Sequence, residues 1–361
     1  MRLFQNSAVY PAYLPRLNSL AAGTRTFRGR LDAFLQDRFG ASHFLEPVLN
    51  GYESAFFTNG DDTVLQRMWA AENGLPADSP PESILLAQIE HHRADVFYNL
   101  DPMRLQSSFV RRLPGCVKRS IAWRAAPSPG ADFAAYDLVV CNFPSILQSY
   151  ADKGWKTAFF FPAHDPVLDE YAANENRPID VLFIGGYSRH HRRRARLLET
   201  IAALHTRRSV VMHLDQSRLA RFAESPLGRV FPLAKHRRPA AVRTVSRPAL
   251  FGRSMYAALS QAKVVLNGAV DMAGSDRGNM RCFEAFGGSC ALLTDAGSYP
   301  EGMVSGETML TYDDDRDAVA KLSRLLDDAD LRARVTRAGR QMVRTRYSKR
   351  RQIEKFLELA G

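Results

Sequence analysis

The sequence predicts an α/β protein built as two doubly wound, Rossmann-like domains. Three observations carry that expectation. Amphipathic helical stretches alternate with short runs of β-branched and aromatic residues, the pattern of parallel strands covered on both faces by helices. The runs are too many for one ordinary sheet. At 361 residues the chain also exceeds what one hydrophobic core usually organises.

The repeating unit is clearest in "PPESILLAQIEHHRADVFYNLDP". Pro80 and Pro81 open a helix, Ile84, Leu85 and Ile89 form its inner face, and "DVFYNL" is a buried strand that delivers Asp101 at its end. The same reading gives strands at "ESAFFT", "KRSIAW", "DLVVCN" and "TAFFF" in the first half. In the second half it gives "DVLFIGG", "SVVMHL", "RVFPL", "KVVLNG", "CALLTD" and "TMLTY". One long, polar, proline-containing segment lies at mid-chain, "PAHDPVLDEYAANENRP". A boundary there divides the chain into a first domain of residues 1–163, a linker of 164–178 and a second domain of 179–361. The run "RTRYSKRRQIEKFLELAG" reads as a last helix with Tyr347, Ile353, Phe356 and Leu357 on its apolar side.

Composition narrows the function classes. With 45% hydrophobic and 24% charged residues the chain has material for a core and no sign of bulk disorder. The first twenty residues contain two prolines and scattered polar groups where a secretory signal needs an unbroken apolar run. The longest apolar runs are of strand length, so a cytoplasmic location is expected. Cys116, Cys141, Cys282 and Cys290 form no Cys-x-x-Cys pair and are expected to be reduced and mostly buried. The formal charge of +11 attracts polyanions of any kind. Much of it lies in "RHHRRRAR" and "KHRRPAAVRTVSRP".

Two stretches could carry chemistry. In open α/β sheets ligands gather beyond the carboxyl ends of strands, near helix N-termini whose free N–H groups favour anions. "VLFIGGYSRHHRRRARLL" supplies that geometry: Gly185 and Gly186 permit close backbone approach, and Ser188 and Arg189 stand where a helix begins. The bland reading is a plain strand-to-helix turn followed by a solvated basic face. In "SDRGNMRCFEAFGGSCALLTD" a helix starting near Asn279 or Met280 turns Arg281 and Glu284 toward adjacent faces. Gly287 and Gly288 there permit tight packing onto the strand "CALLTD". A carboxylate in that crowded setting is costly unless something hydrogen-bonds to it. The paired hydroxyls of a ribose would do so, and an ion pair with Arg281 is the alternative. The acids of "YDDDRD" have the spacing of a metal-binding Asp-x-Asp but would equally cap a helix beginning near Arg316. His190 and His191 are adjacent and cannot ligate one ion as an i, i+4 pair would.

From about Phe251 onward the sequence closely resembles the C-terminal half of the CgeB-like glycosyltransferases. The resemblance rests on "LFGRSMYAALSQAKVVLNGAVDMAGSDRGNMRCFEAFGGSCALLTD" and "GMVSGETMLTYDDDRDAVAKLSRLL". "NGYESAFF", "ILLAQIEHHRADVFYNLD" and "KGWKTAFFFPAHDP" fall in the family's order in the first half. The resemblance implies the GT-B architecture: two facing Rossmann-like domains, related to glycosyltransferase family 4, with a C-terminal helix able to cross back to the first domain. It also implies transfer of a sugar from a nucleotide-sugar donor, held by the second domain, to an acceptor held by the first. The acceptor would be a glycan, lipid-linked glycan or protein in bacterial glycan or glycoconjugate synthesis, and no metal or cofactor is called for.

By the same resemblance, Asp276 and Glu284 stand at the family's acid spacing, the first toward the transferred sugar and the second on the ribose. Asp276 is one methylene shorter than the family's Glu and leans toward a retaining outcome. Gly185, Gly186 and Ser188 match the diphosphate loop, Arg189 and then Arg281 are its candidate cations, and Asn279 opens the donor-binding helix. Asp101 is a candidate general base, with Trp123 and Arg124 expected at the same opening. Nucleic acid is not an expected partner, whereas peripheral contact with an anionic membrane surface is compatible with the charge. Two other functions fit the same architecture: epimerisation of a sugar nucleotide, and polyanion binding on a degenerate transferase fold.

Overall fold

The structure, a computed structural model, describes residues 1–188, 191–216, 218–233, 236–268 and 273–361. The chain forms two compact units, Met1–Ala163 with Ser348–Gly361, and His164–Tyr347. Each is built on a six-stranded parallel sheet.

The first sheet comprises β1 (Leu3–Ser7), β2 (Ala55–Asn59), β3 (Val96–Asn99), β4 (Arg119–Trp123), β5 (Leu138–Cys141) and β6 (Thr157–Phe159). Its order is β2-β1-β3-β4-β5-β6, so the chain reverses direction across the sheet between β1 and β3. The second comprises β7 (Ile179–Gly186), β8 (Val210–Asp215), β9 (Ser246–Pro248), β10 (Ala262–Leu266), β11 (Ala291–Asp295) and β12 (Leu310–Tyr312). Its order, β12-β11-β10-β7-β8-β9, is the doubly wound arrangement with the reversal between β7 and β10. Val181, Leu182, Val264, Val265, Leu292 and Leu293 are wholly buried, as strands covered on both faces require.

Two strands escape hydrophobic patterning. β1 is buried throughout although Gln5, Asn6 and Ser7 are polar. Their side chains are matched: Leu45 N donates to Gln5 Oε1 (3.2 Å), Asn6 Nδ2 to Asn99 Oδ1 (2.8 Å) and Gly60 N to Asn6 Oδ1 (2.9 Å). β9 lies inside a basic run and ends in a proline, which an edge strand tolerates. Conversely, "RVFPL" is not a strand. Leu227–Val230 is a 3₁₀ turn, and Val230 and Phe231 are 83% and 49% exposed. Pro232 has no N–H to give a ladder.

Residues 164–178, read from the sequence as a linker, are folded into the second unit. They include the helix Leu168–Ala172. Tyr256 Oη donates to Asp165 (3.0 Å), and Arg177 reaches the carbonyls of Ala262 (2.9 Å) and Gly288 (3.0 Å). The last helix, Lys349–Ala360, belongs to the first unit although its sequence position is in the second. Phe356 is buried against Tyr98 and Phe160, while Leu357 is 46% exposed. Lys349 fixes the start of this helix: its ammonium donates to the carbonyls of Ala41 (2.6 Å), Phe44 (2.7 Å) and Ser42 (3.2 Å) and to Gln352 (3.0 Å). All four cysteines are free thiols, three of them buried.

Candidate functional site

In the second unit a cavity of about 370 Å³ opens beyond the carboxyl ends of β10, β11 and β12 and beside the helix Arg192–Ala202 that follows β7. This is where the strand order reverses, the place at which open parallel sheets bind ligands. The helix contributes Arg193, Arg194 and Arg196 from its first turns, and Arg277 comes from the loop after β10. Asp295 ends β11, Tyr312 ends β12, and Asp313, Asp314 and Asp315 follow it.

Arg194 folds back over the end of β7. Its guanidinium lies 5.1 Å from the centroid of the Phe183 ring. A Cβ on Gly185 would meet Arg194 Nη2 at 2.5 Å, so the glycine leaves the space the guanidinium occupies. Arg194 Nε is buried with no hydrogen-bond partner among the described residues. Burial holds its pKa below the ordinary arginine value; Tyr312 and Asp295 act against that shift and Arg281 adds to it.

The remaining lining groups are braced. Arg277 pairs with Asp295 (Nε to Oδ2, 2.5 Å) and donates to the carbonyls of Gly274 (2.8 Å) and Asp276 (3.0 Å). Tyr312 Oη donates to Asn267 O (2.7 Å), and burial keeps its phenol well above the usual pKa. Asp314 caps the helix Asp315–Asp327, accepting from Arg316 N (2.8 Å) and Asp317 N (2.9 Å). Capping therefore accounts for that acid. Among the described residues no cluster of three or more His, Cys, Asp and Glu side chains is placed to hold a metal ion.

The sequence-predicted residues surround this cavity unevenly. Gly185 and Gly186 end β7, and only Gly185 has a neighbouring side chain where a Cβ would be. The Ser188 carbonyl accepts from His191 N (3.2 Å). Arg189 and His190 lie outside the described residues. Asp276 forms an isolated parallel bridge with Ser298. Asn279 is the N-cap position of the helix Met280–Gly287 without capping it; its side chain donates to Asn267 Oδ1 (3.3 Å).

Glu284 requires a correction. Positions 281 and 284 share a helix face rather than adjacent faces, because residues three apart stack on successive turns. Arg281 Nη1 donates to Glu284 Oε2 at 2.6 Å, and the glutamate is 3% exposed. Burial pushes its carboxyl up from the ordinary range and Asp165 adds to that, while Arg281 pulls it back down. The ion pair is thus what the structure contains, and the described cavity lining includes neither partner. The paired glycines behind it also pack differently from expectation. A Cβ on Gly287 would strike His164 Nδ1 (2.7 Å) and Leu168 Cδ1 (2.8 Å), so the close approach is to the 164–168 segment and not to β11.

In the first unit Asp101 lies two residues beyond β3, its carboxylate held by Arg104 Nε (2.7 Å) and its N–H by Asn99 Oδ1 (3.0 Å). Trp123 and Leu100 line one cavity in this unit, whereas Arg124 turns to Ser128 (2.8 Å). Sequence reasoning missed Arg194, Arg277, Asp295 and Tyr312. A usable signal was present: Asp295 and Tyr312 are strand ends in "CALLTD" and "TMLTY", and within the second domain candidate residues were drawn from the end of β7 and not from these two strands.

Comparison with known proteins supplies the context. Residues 192–358 match the model of a family described as glycosyl transferase-like. No match is found among curated proteins. Solved structures align over nearly the whole chain. A glycosyltransferase from Rickettsia africae ESF-5 gives a TM-score of 0.59 at 11% identity, covering 99% of this chain and 97% of that one. Anabaena Alr3699/HepE in complex with UDP gives 0.58 at 11% identity, covering 99% of both chains. The sucrose-phosphate synthase of Thermosynechococcus elongatus gives 0.53 at 10% identity, with 99% and 97% covered.

The fold is that of GT-B glycosyltransferases. Within it, the match to the transferase-like family begins at the first residue of the arginine-bearing helix and runs through all the described lining of the 370 Å³ cavity. Among the described residues no helix is long and apolar enough to cross a membrane.

Proposed function

We propose that the protein is a glycosyltransferase that holds the diphosphate of a nucleotide-sugar donor in the arginine-lined cavity of the second unit. The observation that carries this reading is Arg194, a half-buried arginine whose Nε is buried and unpartnered among the described residues, at the sheet's reversal point. A departing nucleoside diphosphate gathers negative charge, so fixed guanidinium groups stabilise the transition state more than the ground state. Arg193 adds to that field, Arg277 and Arg196 are paired with Asp295 (2.5 Å) and Asp315 (3.7 Å), and the helix that opens at Arg192 presents its positive end. The fold's occurrence in HepE, solved with UDP and with UDP-glucose, supports the donor class.

In this proposal Glu284 holds Arg281, whose charge acts on Arg194, and does not itself grip the ribose. Asp276 stays the acid proposed for the sugar side and Asp101 the proposed general base. The Asp101 carboxylate must then exchange its contact with Arg104 for the acceptor hydroxyl. The CgeB-like subtype, a cytoplasmic location and peripheral contact with an anionic membrane belong to the same proposal.

Calorimetric titration with UDP, GDP, ADP and TDP tests it. At least one should bind, and Arg194→Leu should weaken that binding. A folded protein that binds none of the four overturns the reading. Incubation with the matching sugar nucleotide and no acceptor separates transfer from epimerisation, since only an epimerase converts the donor to an isomer.

A further inference from the structure

The first unit holds a second cavity, of about 230 Å³, whose described lining includes Trp123 but none of the candidate catalytic or donor-binding residues. It sits at this sheet's own reversal point, because Ser7 ends β1 and Leu100 follows β3. Its walls are the rings of Phe34, Phe39, Phe44 and Trp123, with His43 among them. None of the described lining residues bears a carboxylate, ammonium or guanidinium group.

His43 is the polar feature. Its ring packs 4.7 Å from that of Trp123, and its Nδ1 is buried with no hydrogen-bond partner among the described residues. Burial, reinforced by the Lys349 ammonium, pushes its pKa down to about 3, so the ring is neutral. A neutral imidazole offers one donor and one acceptor nitrogen, and a hydroxyl complements either because it both donates and accepts. Lys349 also sets where this residue stands: it binds the carbonyls of Ala41, Ser42 and Phe44 on both sides of His43. Gly40, at φ +76°, starts that turn.

We propose that this cavity binds an uncharged, hydroxyl-bearing ring, with the apolar face of the ring against Trp123 and the phenylalanines and a hydroxyl on His43. Aromatic walls suit a ring face, and a charged ligand would lose hydration with no charged side chain in the described lining to pair with. The volume is below the roughly 300–1,000 Å³ of pockets that enclose drug-sized ligands, so it admits one small ring. If the transferase reading holds, this ring is the accepting sugar or the head of the acceptor. The binding inference itself does not depend on that reading.

The experiment uses the full chain, with methyl and phenyl glycosides of uncharged hexoses and the corresponding sugar phosphates as probes. Saturation-transfer NMR reports contact, and Trp123 fluorescence reports affinity. A glycoside should bind, the phosphates should bind more weakly here, and His43→Leu should weaken the glycoside roughly three- to tenfold, the worth of one hydrogen bond. UDP titration of the same variant checks folding and should be unchanged. Absence of transfer to every uncharged glycoside overturns the proposal, as does unchanged affinity in His43→Leu or in a second variant, Phe39→Ser. A protein that binds glycosides but no nucleotide refutes the donor reading and leaves this one standing.

Discussion

The two cavities occupy equivalent places in two parallel sheets and have opposite chemistry. In the second unit the chain leaving β7 enters a helix that opens with arginines, and the ends of β11 and β12 bring acids and a tyrosine. In the first unit the end of β1 contributes only Ser7 and Ala8, and the wall is filled from an aromatic cluster in which Tyr13 stacks on Phe39 at 4.3 Å and Phe44 lies 4.8 Å from Phe57. Topology therefore determines where a ligand can sit, and the few residues after each strand determine its charge. On the two proposals, the same sheet reversal serves an anion in one case and a neutral ring in the other.

The sharpest way to break this comparison is to remove what shapes the neutral cavity while leaving the charged one alone. Lys349→Met strips three backbone carbonyls of their donor inside the first unit. Bonds to a charged donor and the cost of orphaned buried acceptors together predict a loss of about 3 kcal/mol of stability. Urea unfolding should show the loss, and the surviving folded fraction should still bind UDP. An unchanged midpoint would mean that the C-terminal helix is held by Phe356 packing and not by the ammonium.

Next in size is Arg194→Leu. Losing a charge-assisted contact to phosphate costs about 1.5–3 kcal/mol, roughly ten- to a hundredfold in affinity for a nucleoside diphosphate. Glycoside binding in the first unit should not move. Equal weakening of both ligands would show that Arg194 acts on general stability, and the contrast between the cavities would lose its basis.

How much of this was legible in the sequence depends on what each signal encodes. Buried strands such as "DVLFIGG" and "CALLTD" announce themselves by apolar runs, and β1 does not, because its inward groups are amides satisfied by partners 40 to 93 residues away. Spacing alone identified Arg281 and Glu284 as notable. It could not reveal that the two charges satisfy each other, because an acid three residues from a base suits a ligand grip and an ion pair equally well. Arg194 was visible only as one member of a basic run. Its place over the end of β7 depends on Gly185 lying beneath it, a contact between two residues nine positions apart across a strand-to-helix turn.

A smaller effect reads the Glu284 pair through pH. Its folded pKa is raised, so between the unfolded value near 4.5 and the higher folded value the native state holds a proton that the unfolded state has released. Stability from this group is present below that window and falls as pH rises through it. Arg281 and Asp165 face the carboxyl and act in opposite directions. Glu284→Gln should therefore flatten the decline in urea midpoint as pH is raised above the ordinary carboxyl value of 4.5. A variant that steepens the decline would show that Arg281 outweighs burial and that the pair is ionised at a depressed pKa.

The finest distinction is between two adjacent glycines. Gly185→Ala places a methyl group 2.5 Å from Arg194 Nη2, and the long side chain can swing aside, so folding should survive while the guanidinium leaves its place over Phe183. Gly186→Ala meets nothing within 4 Å and, with φ outside the left-handed region, introduces no backbone strain. The first change should weaken UDP binding several-fold with little effect on the melting temperature, and the second should leave both untouched. If the two alanines behave alike, the glycines serve only the strand-to-helix turn, and the fixed position of Arg194 has no part in recognising phosphate.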